Sequence, residues 1–246
     1  MIVSSSNLSQ LRNRNSHDSE RVIEIFSGSL PAIPLREAAG WIEDELNVKI
    51  NFDIGPPSSW LSRVKAGQGD ILMVGAEYMM DDIEAEGLIL KETRKSLGYR
   101  KAVILVRKGN PKNIRSLEDL CGEEVKILVC GKVCQKGLWD DIASKAGLTD
   151  KIRRNIVEYA RGCVQMLHRW LQSEGEIDAA IGWNTYKNMA PESFDVIELP
   201  KDLQILRSAN IAVTRYSKKK ELAKRFIELA TSERIREIYR KHGWIV

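Results

Sequence analysis

The stretch YRKAVILVRKGNP, residues 99–111, reads as one long β-branched strand stopped by a Gly-Asn-Pro turn. It interrupts a different rhythm. Upstream, RVIEIFS reads as a short buried strand, and PAIPLREAAGWIEDELN as a helix with Leu35, Ala38, Ala39, Ile42 and Leu46 on one face and Asn47 as its C-terminal cap. VKINFDI, WLSRVKAGQG, DILMVG and EYMMDDIEAEG continue as strand, helix, strand and helix. Connections of this length are too long for hairpins, so the order predicts a mostly parallel sheet with helices on its faces.

Downstream of the long strand the alternation restarts. SLEDL is a short helix capped by Ser116 with Asp119 three residues on; EVKILV, NIVEYA and IDAAIGWN are strands, and GLWDDIASKAG and VQMLHRWLQSEG helices. A second long strand, ILRSANIAVTR (205–215), then leads into helical patterns that close the chain. Two alternating sets bracketed by two long strands predict two α/β lobes joined by a pair of crossings. Residues 21–105 and 207–246 form lobe 1, residues 106–206 an inserted lobe 2, and residues 1–20 a polar, disordered tail. The natural place for a ligand is the cleft between the lobes, where helix N-termini converge.

Composition narrows the functional class. The 246 residues are 43% hydrophobic and 29% charged, ordinary for a globular chain, with a net charge of +4 spread among interleaved acids and bases. The run YSKKKELAKRF reads as a solvated helix start, so no nucleic-acid partner is expected. No apolar run reaches membrane-spanning length, and the first twenty residues lack the apolar core of a signal peptide. The chain therefore acts in the cytoplasm if that N-terminus is native, or outside it if a leader has been removed.

The segment CGKVCQKGLW (130–139) places Cys130 and Cys134 in a strand-to-helix loop. A Cys130–Cys134 disulfide, a metal site, a nucleophile and a tight packing loop are the readings it allows. Metal is disfavoured by the C-x3-C spacing, and His168, on a face with Val164, Leu167 and Leu171, reads as a core histidine. A catalytic thiol has no matched base, and neither enzyme activity nor a cofactor is expected. Gly131 and Gly137 give the loop freedom to cradle a ligand, with the N–H groups of Gln135, Lys136 and Gly137 turned inward.

IFSGSLPAIPLREAAGWIEDE, VKINFDIGPPSSW, GDILMVGAEYMMDDI and AVILVRKGNPKNIRSLEDL, followed by KGLWDDIASKAG, IRRNIVEYA, IDAAIGWN and the ending KHGW, resemble the type 2 periplasmic solute-binding proteins from Arg21 onward. The broad relatives are the molybdate and sulfate binders, and the closer subgroup is the accessory colonisation factor proteins. The resemblance implies a two-lobed Venus-flytrap, each lobe a mostly parallel sheet flanked by helices, closing by hinge motion on a small, anionic solute. It implies a monomer in the periplasm that serves an ABC transporter or a sensor. Its ligand-contacting stretches correspond here to Ser27, Gly28 and Ser29; Ser58, Ser59 and Trp60; Cys134, Gln135, Lys136 and Gly137; Arg161 and Cys163; and Trp183 and Asn184, while Arg207 is singled out by its own place at the crossing, where an arginine can pair with a carboxylate or oxyanion. Against the subgroup's pattern, Cys130, Cys134 and Cys163 replace small or polar residues, and Val74-Gly75-Ala76 replaces a hydroxyl-bearing loop. The second expectation is the effector domain of a LysR-type regulator, which needs a helix-turn-helix ahead of Arg21. A third is a soft ligand or a thiol compound, which two cleft thiols would suit.

Overall fold

A computed structural model describes residues 21–246, and the tail expected over residues 1–20 lies outside the described residues. The first set builds β1 (Val22–Ser27), α1 (Ser29–Glu37), α2 (Ala39–Leu46), β2 (Lys49–Ile54), α3 (Pro57–Lys65), β3 (Ile71–Val74) and α4 (Glu77–Ala85). β1 pairs in parallel with β2 on one side and β3 on the other. The single helix expected over residues 31–47 is broken at Ala38 into two, and Asn47 closes the second in the left-handed conformation at φ 52°.

β4 (Lys95–Arg107) is the long strand, thirteen residues, and it belongs to two sheets in succession. Lys95–Lys101 pair antiparallel with β9 (Leu206–Val213), which also pairs with β3. Ala102–Arg107 pair with β7 (Ala179–Trp183) and β8 (Phe194–Glu198) instead. β7 continues in parallel to β5 (Ile127–Cys130), and β5 to β6 (Ile156–Ala160). Along the whole path the order is β2-β1-β3-β9-β4-β7-β5-β6. The change of partners falls between Lys101 and Ala102, so the boundary expected after residue 105 lies inside the stretch already paired with β7 and β8.

The second set is completed by α5 (Leu138–Lys145), α6 (Thr149–Asn155), α7 (Cys163–Gln172) and the one-turn α8 (Tyr186–Met189); α9 (Lys220–Ala230) and α10 (Glu233–Lys241) return to the first sheet. β3 (ILMV) and β5 (ILVC) are buried along their whole length, as parallel strands covered on both faces must be. Their continuous apolar sequence and the amphipathic stripes of α9 (Ala223, Phe226, Ile227, Ala230) fill the core. Among the described residues no helix is long and apolar enough to cross a membrane.

Candidate functional site

The C-terminal ends of β1, β2 and β3 face those of β5 and β6, and their loops enclose a cavity of about 250 Å³. The first sheet supplies Gly28–Pro31 at the start of α1, Gly55–Pro57, Trp60, and Val74, Gly75 and Met79; the second supplies Val133, Cys134 and Arg161–Gln165. Trp60 is fully buried, stacked on Phe26 at 6.1 Å, with its Nε1 donating to Gly55 O at 3.0 Å, so it is a rigid floor. α1 and α7 both begin at this cavity, and the N–H groups of a helix's first turn have no partner within the helix. The Ser29 hydroxyl on that wall makes no hydrogen bond among the described residues.

Behind the wall lies Arg100, fully buried. Its guanidinium is held between the indoles of Trp183 and Trp244, 4.7 and 4.8 Å from their ring centres. One Nη donates to Gly75 O and the other approaches Cys134 Sγ at 3.8 Å, and among the described residues no carboxylate forms an ion pair with it. Cys134 Sγ is also 2.9 Å from Cys163 Sγ. The hydrogen bond from the Cys163 thiol and the nearby Arg100 charge outweigh burial and hold Cys134 down at about 5. Cys163, half-buried, is pushed well up by its contact with Cys134 and by loss of hydration. Arg100 is the only cation in contact with the pair among the described residues.

The loop that carries Cys134 is strained. Val133 takes φ 53°, a left-handed conformation costing a β-branched residue of order 1–3 kcal/mol. Tyr78, at the start of α4 on the opposite sheet, donates its hydroxyl to Val133 O and so ties the two walls together. Tyr78→Phe is expected to remove about 0.5–1.5 kcal/mol of closed-state stability, measured as weaker solute affinity with unchanged thermal unfolding of the solute-free protein. Unchanged affinity would show that the hydroxyl does not hold the cavity shut.

The chain matches the family model for bacterial extracellular solute-binding proteins over residues 23–245. It belongs to that family. Its fold is that of the type 2 periplasmic binding proteins. The L-phospholactate-bound structure of PEB3 is similar at a TM-score of 0.78 and 26% identity, covering 91% of this chain and 99% of that one. Peb3 from Campylobacter jejuni in a second structure gives 0.74 and 25% over the same shares. The periplasmic molybdate-binding protein of Azotobacter vinelandii gives 0.72 at 14% identity, again over 91% and 99%, a likeness of fold alone. No curated protein sequence matches. Solute-binding proteins of this family take up a small molecule outside the cytoplasmic membrane for an ABC transporter and are not enzymes. That assignment replaces the expectation of a LysR-type effector domain.

Of the residues singled out in the solute-binding protein's sequence, the structure gathers Gly28, Ser29, Trp60, Cys134, Arg161 and Cys163 at the cavity. The others lie elsewhere. Ser27 is fully buried and donates to Gly28 O at 2.8 Å. Ser58 and Ser59 are exposed in the first turn of α3; Pro56 and Pro57 remove two of its N–H donors, and the Ser59 hydroxyl turns back to Pro56 O at 2.8 Å. The N–H groups of Gln135 and Lys136 are spent inside a turn, on Lys132 O and Val133 O. Lys136 and Gly137 face a different, more open depression beside Trp139 and Tyr159. Gly137 adopts φ 76° as the cap of α5, where a Cβ would meet Asp141 at 2.8 Å, so it serves that helix. Gly131 has no such requirement: nothing lies within 4 Å of an added Cβ.

Trp183 packs under Arg100, and Asn184 clips the crossing by accepting from Lys101 N at 3.0 Å and donating to Gly243 O at 2.6 Å. Arg207 pairs with Glu77 at 3.3 Å, outside the cavity. His168 is exposed, because the buried face of α7 runs through Met166 and Trp170. Cys130 points its thiol at Lys132 O at 3.5 Å and not at Cys134. Arg100, the charge nearest the cavity wall from behind, was not singled out; an arginine inside a β-branched strand was the available signal.

Proposed function

We propose that the protein captures a small organic anion, a phosphorylated or carboxylated acid with an apolar portion, as a monomer that closes between its two sheets. The observation that carries this is the meeting of two helix N-termini, those of α1 and α7, at a cavity whose Gly75–Cys134 wall is backed by the buried charge of Arg100. Helix starts offer unpaired donors and about half a positive charge each. Arg161 adds an exposed guanidinium at the same cavity, while Leu30, Pro31, Val74, Met79 and Val164 make the rest of the lining apolar. Such a lining favours an organic acid over a bare oxyanion. L-phospholactate, the molecule bound in the PEB3 structure, is an acid of this kind and supports the reading. The motifs running in order through the chain support placement in the accessory colonisation factor subgroup.

The test is a thermal-shift and calorimetric panel of L-phospholactate, molybdate and sulfate. L-phospholactate is expected to raise the melting temperature; a response to molybdate or sulfate alone would overturn the organic-acid class, and none to any anion would overturn the reading. Within the panel, Ser29→Ala and Arg161→Ala are each expected to weaken binding by about tenfold or more, the loss of one hydrogen bond to a charged group. Ser59→Ala is expected to bind as wild type does, since its hydroxyl is turned onto Pro56.

A further inference from the structure

Before any cross-link, Cys134 Sγ lines the cavity 3.8 Å from an Arg100 Nη, a contact that favours the ionised sulfur and sets it against the guanidinium that would otherwise attract the solute. We propose that Cys134 and Cys163 form a reversible disulfide in the cavity wall, and that forming it tightens anion binding by releasing the charge of Arg100. The second half rests on the organic-anion reading above; the first does not.

Geometry carries the cross-link. The two sulfurs are already 2.9 Å apart, so a small side-chain rotation brings them to bonding distance. They come from the loops after β5 and β6, parallel neighbours whose register pairs Cys130 with Ala160, so both cysteines leave the same edge of the sheet a few residues later. The alternatives are poorly placed: Cys130 is committed to Lys132 O and its burial pushes it up to about 11, and Cys121 lies half-buried on the turn before β5. Both partners line the cavity, which gives a small oxidant a path to them. Proteins that work outside the cytoplasmic membrane meet disulfide-bearing oxidants there.

The chemistry is thiol–disulfide exchange. The Cys134 thiolate attacks one sulfur of a small-molecule disulfide, forming a mixed disulfide and expelling one thiolate. Cys163 then loses its proton to that thiolate and attacks Cys134 Sγ, expelling the second. One protein thiolate and one protein thiol become a disulfide, and the external disulfide becomes one thiol and one thiolate, so charge and protons balance. Arg100 favours the first step by stabilising the attacking thiolate. In the product no sulfur carries charge, and the guanidinium, stacked between two indoles with no ion-paired carboxylate among the described residues, keeps its charge behind the cavity wall.

The experiment treats the full chain with oxidised glutathione under native conditions, alkylates remaining thiols and maps the peptides by mass spectrometry. The expected product joins the Cys134 peptide to the Cys163 peptide with the loss of two hydrogens. A Cys130–Cys134 link, a persistent glutathione adduct, or two free cavity thiols would overturn the cross-link. Calorimetry with L-phospholactate then compares oxidised with dithiothreitol-reduced protein. The oxidised form is expected to bind at least about tenfold more tightly, and Cys163→Ser is expected to abolish the redox response. Equal affinities, or tighter binding by the reduced form, overturn the release of Arg100. If neither form binds any of the three anions, the organic-anion reading falls and takes the affinity claim with it, whereas a mapped disulfide still establishes the cross-link.

Discussion

Replacing Arg100 by methionine in the reduced protein is expected to cost about 1–3 kcal/mol of folding stability, the loss of a charged hydrogen-bond donor and of its cation–π contacts, since Cys134 takes up a proton in the variant. Three losses add in the same direction. Gly75 O loses a charged donor, the faces of Trp183 and Trp244 lose the cation between them, and Cys134 loses the positive charge that helps keep it ionised. Methionine fills much of the volume, so the effect reads charge more than cavity formation. The sign with pH follows from the depressed value of about 5 at Cys134. Its ionisation contributes stability in full above the ordinary thiol range, progressively less below it, and none once pH has fallen through about 5. In the variant that pH dependence should shrink, and the ultraviolet absorbance of the thiolate at neutral pH should disappear. Urea unfolding measures the first effect; a loss under about 1 kcal/mol would show that Arg100 is not a keystone of the crossing.

Gly75→Val is expected to abolish closure while leaving the fold in place. An added Cβ at Gly75 would sit 3.1 Å from Cys134 Cβ, 3.2 Å from an Arg100 nitrogen and 3.4 Å from Cys134 Sγ. The two γ-methyls of valine extend farther into that space. Gly75 follows β3 in the first sheet and Cys134 follows β5 in the second, so the wedge falls between the walls that must meet. Overpacking of this kind costs about 1–3 kcal/mol where it cannot relax, but here the sheets relieve it by staying apart. Affinity for L-phospholactate should fall about a hundredfold, near 2.7 kcal/mol, with a larger radius of gyration in small-angle scattering at saturating solute. Gly131→Ala is the matched control, since nothing lies within 4 Å of its added Cβ. Affinity within a few-fold of wild type in Gly75→Val would sink the closure argument.

The sequence made the alternating elements legible because each buries a face with its own period. β3 and β5 are short unbroken apolar runs, and α9 shows its stripe plainly. β8 escaped because it is five residues interrupted by Asp195, whose carboxylate is spent on Gly109 N and Lys108. α6 escaped because TDKIRRN buries only Ile152. At the site, the glycines and serines around β1 were readable as a strand-to-helix corner. The serines of α3 misled because the two prolines ahead of them change what the helix start can donate. The pairing of Cys134 with Cys163 needed the adjacency of β5 and β6, and the role of Arg100 needed two tryptophans from distant parts of the chain. Pairwise tertiary facts of this kind leave no local pattern.

The position of β9 governs the order in which the molecule can be assembled. β3 finds its antiparallel neighbour only at Asn210–Val213, after the whole of β5 to β8 has been laid down, whereas the strands β4 to β8 are contiguous in the chain. Closing the shorter loops first costs less chain entropy. The second sheet can therefore form from residues already present, while the first waits, with the buried edge of β3 unpaired, for β9, the last strand among the described residues.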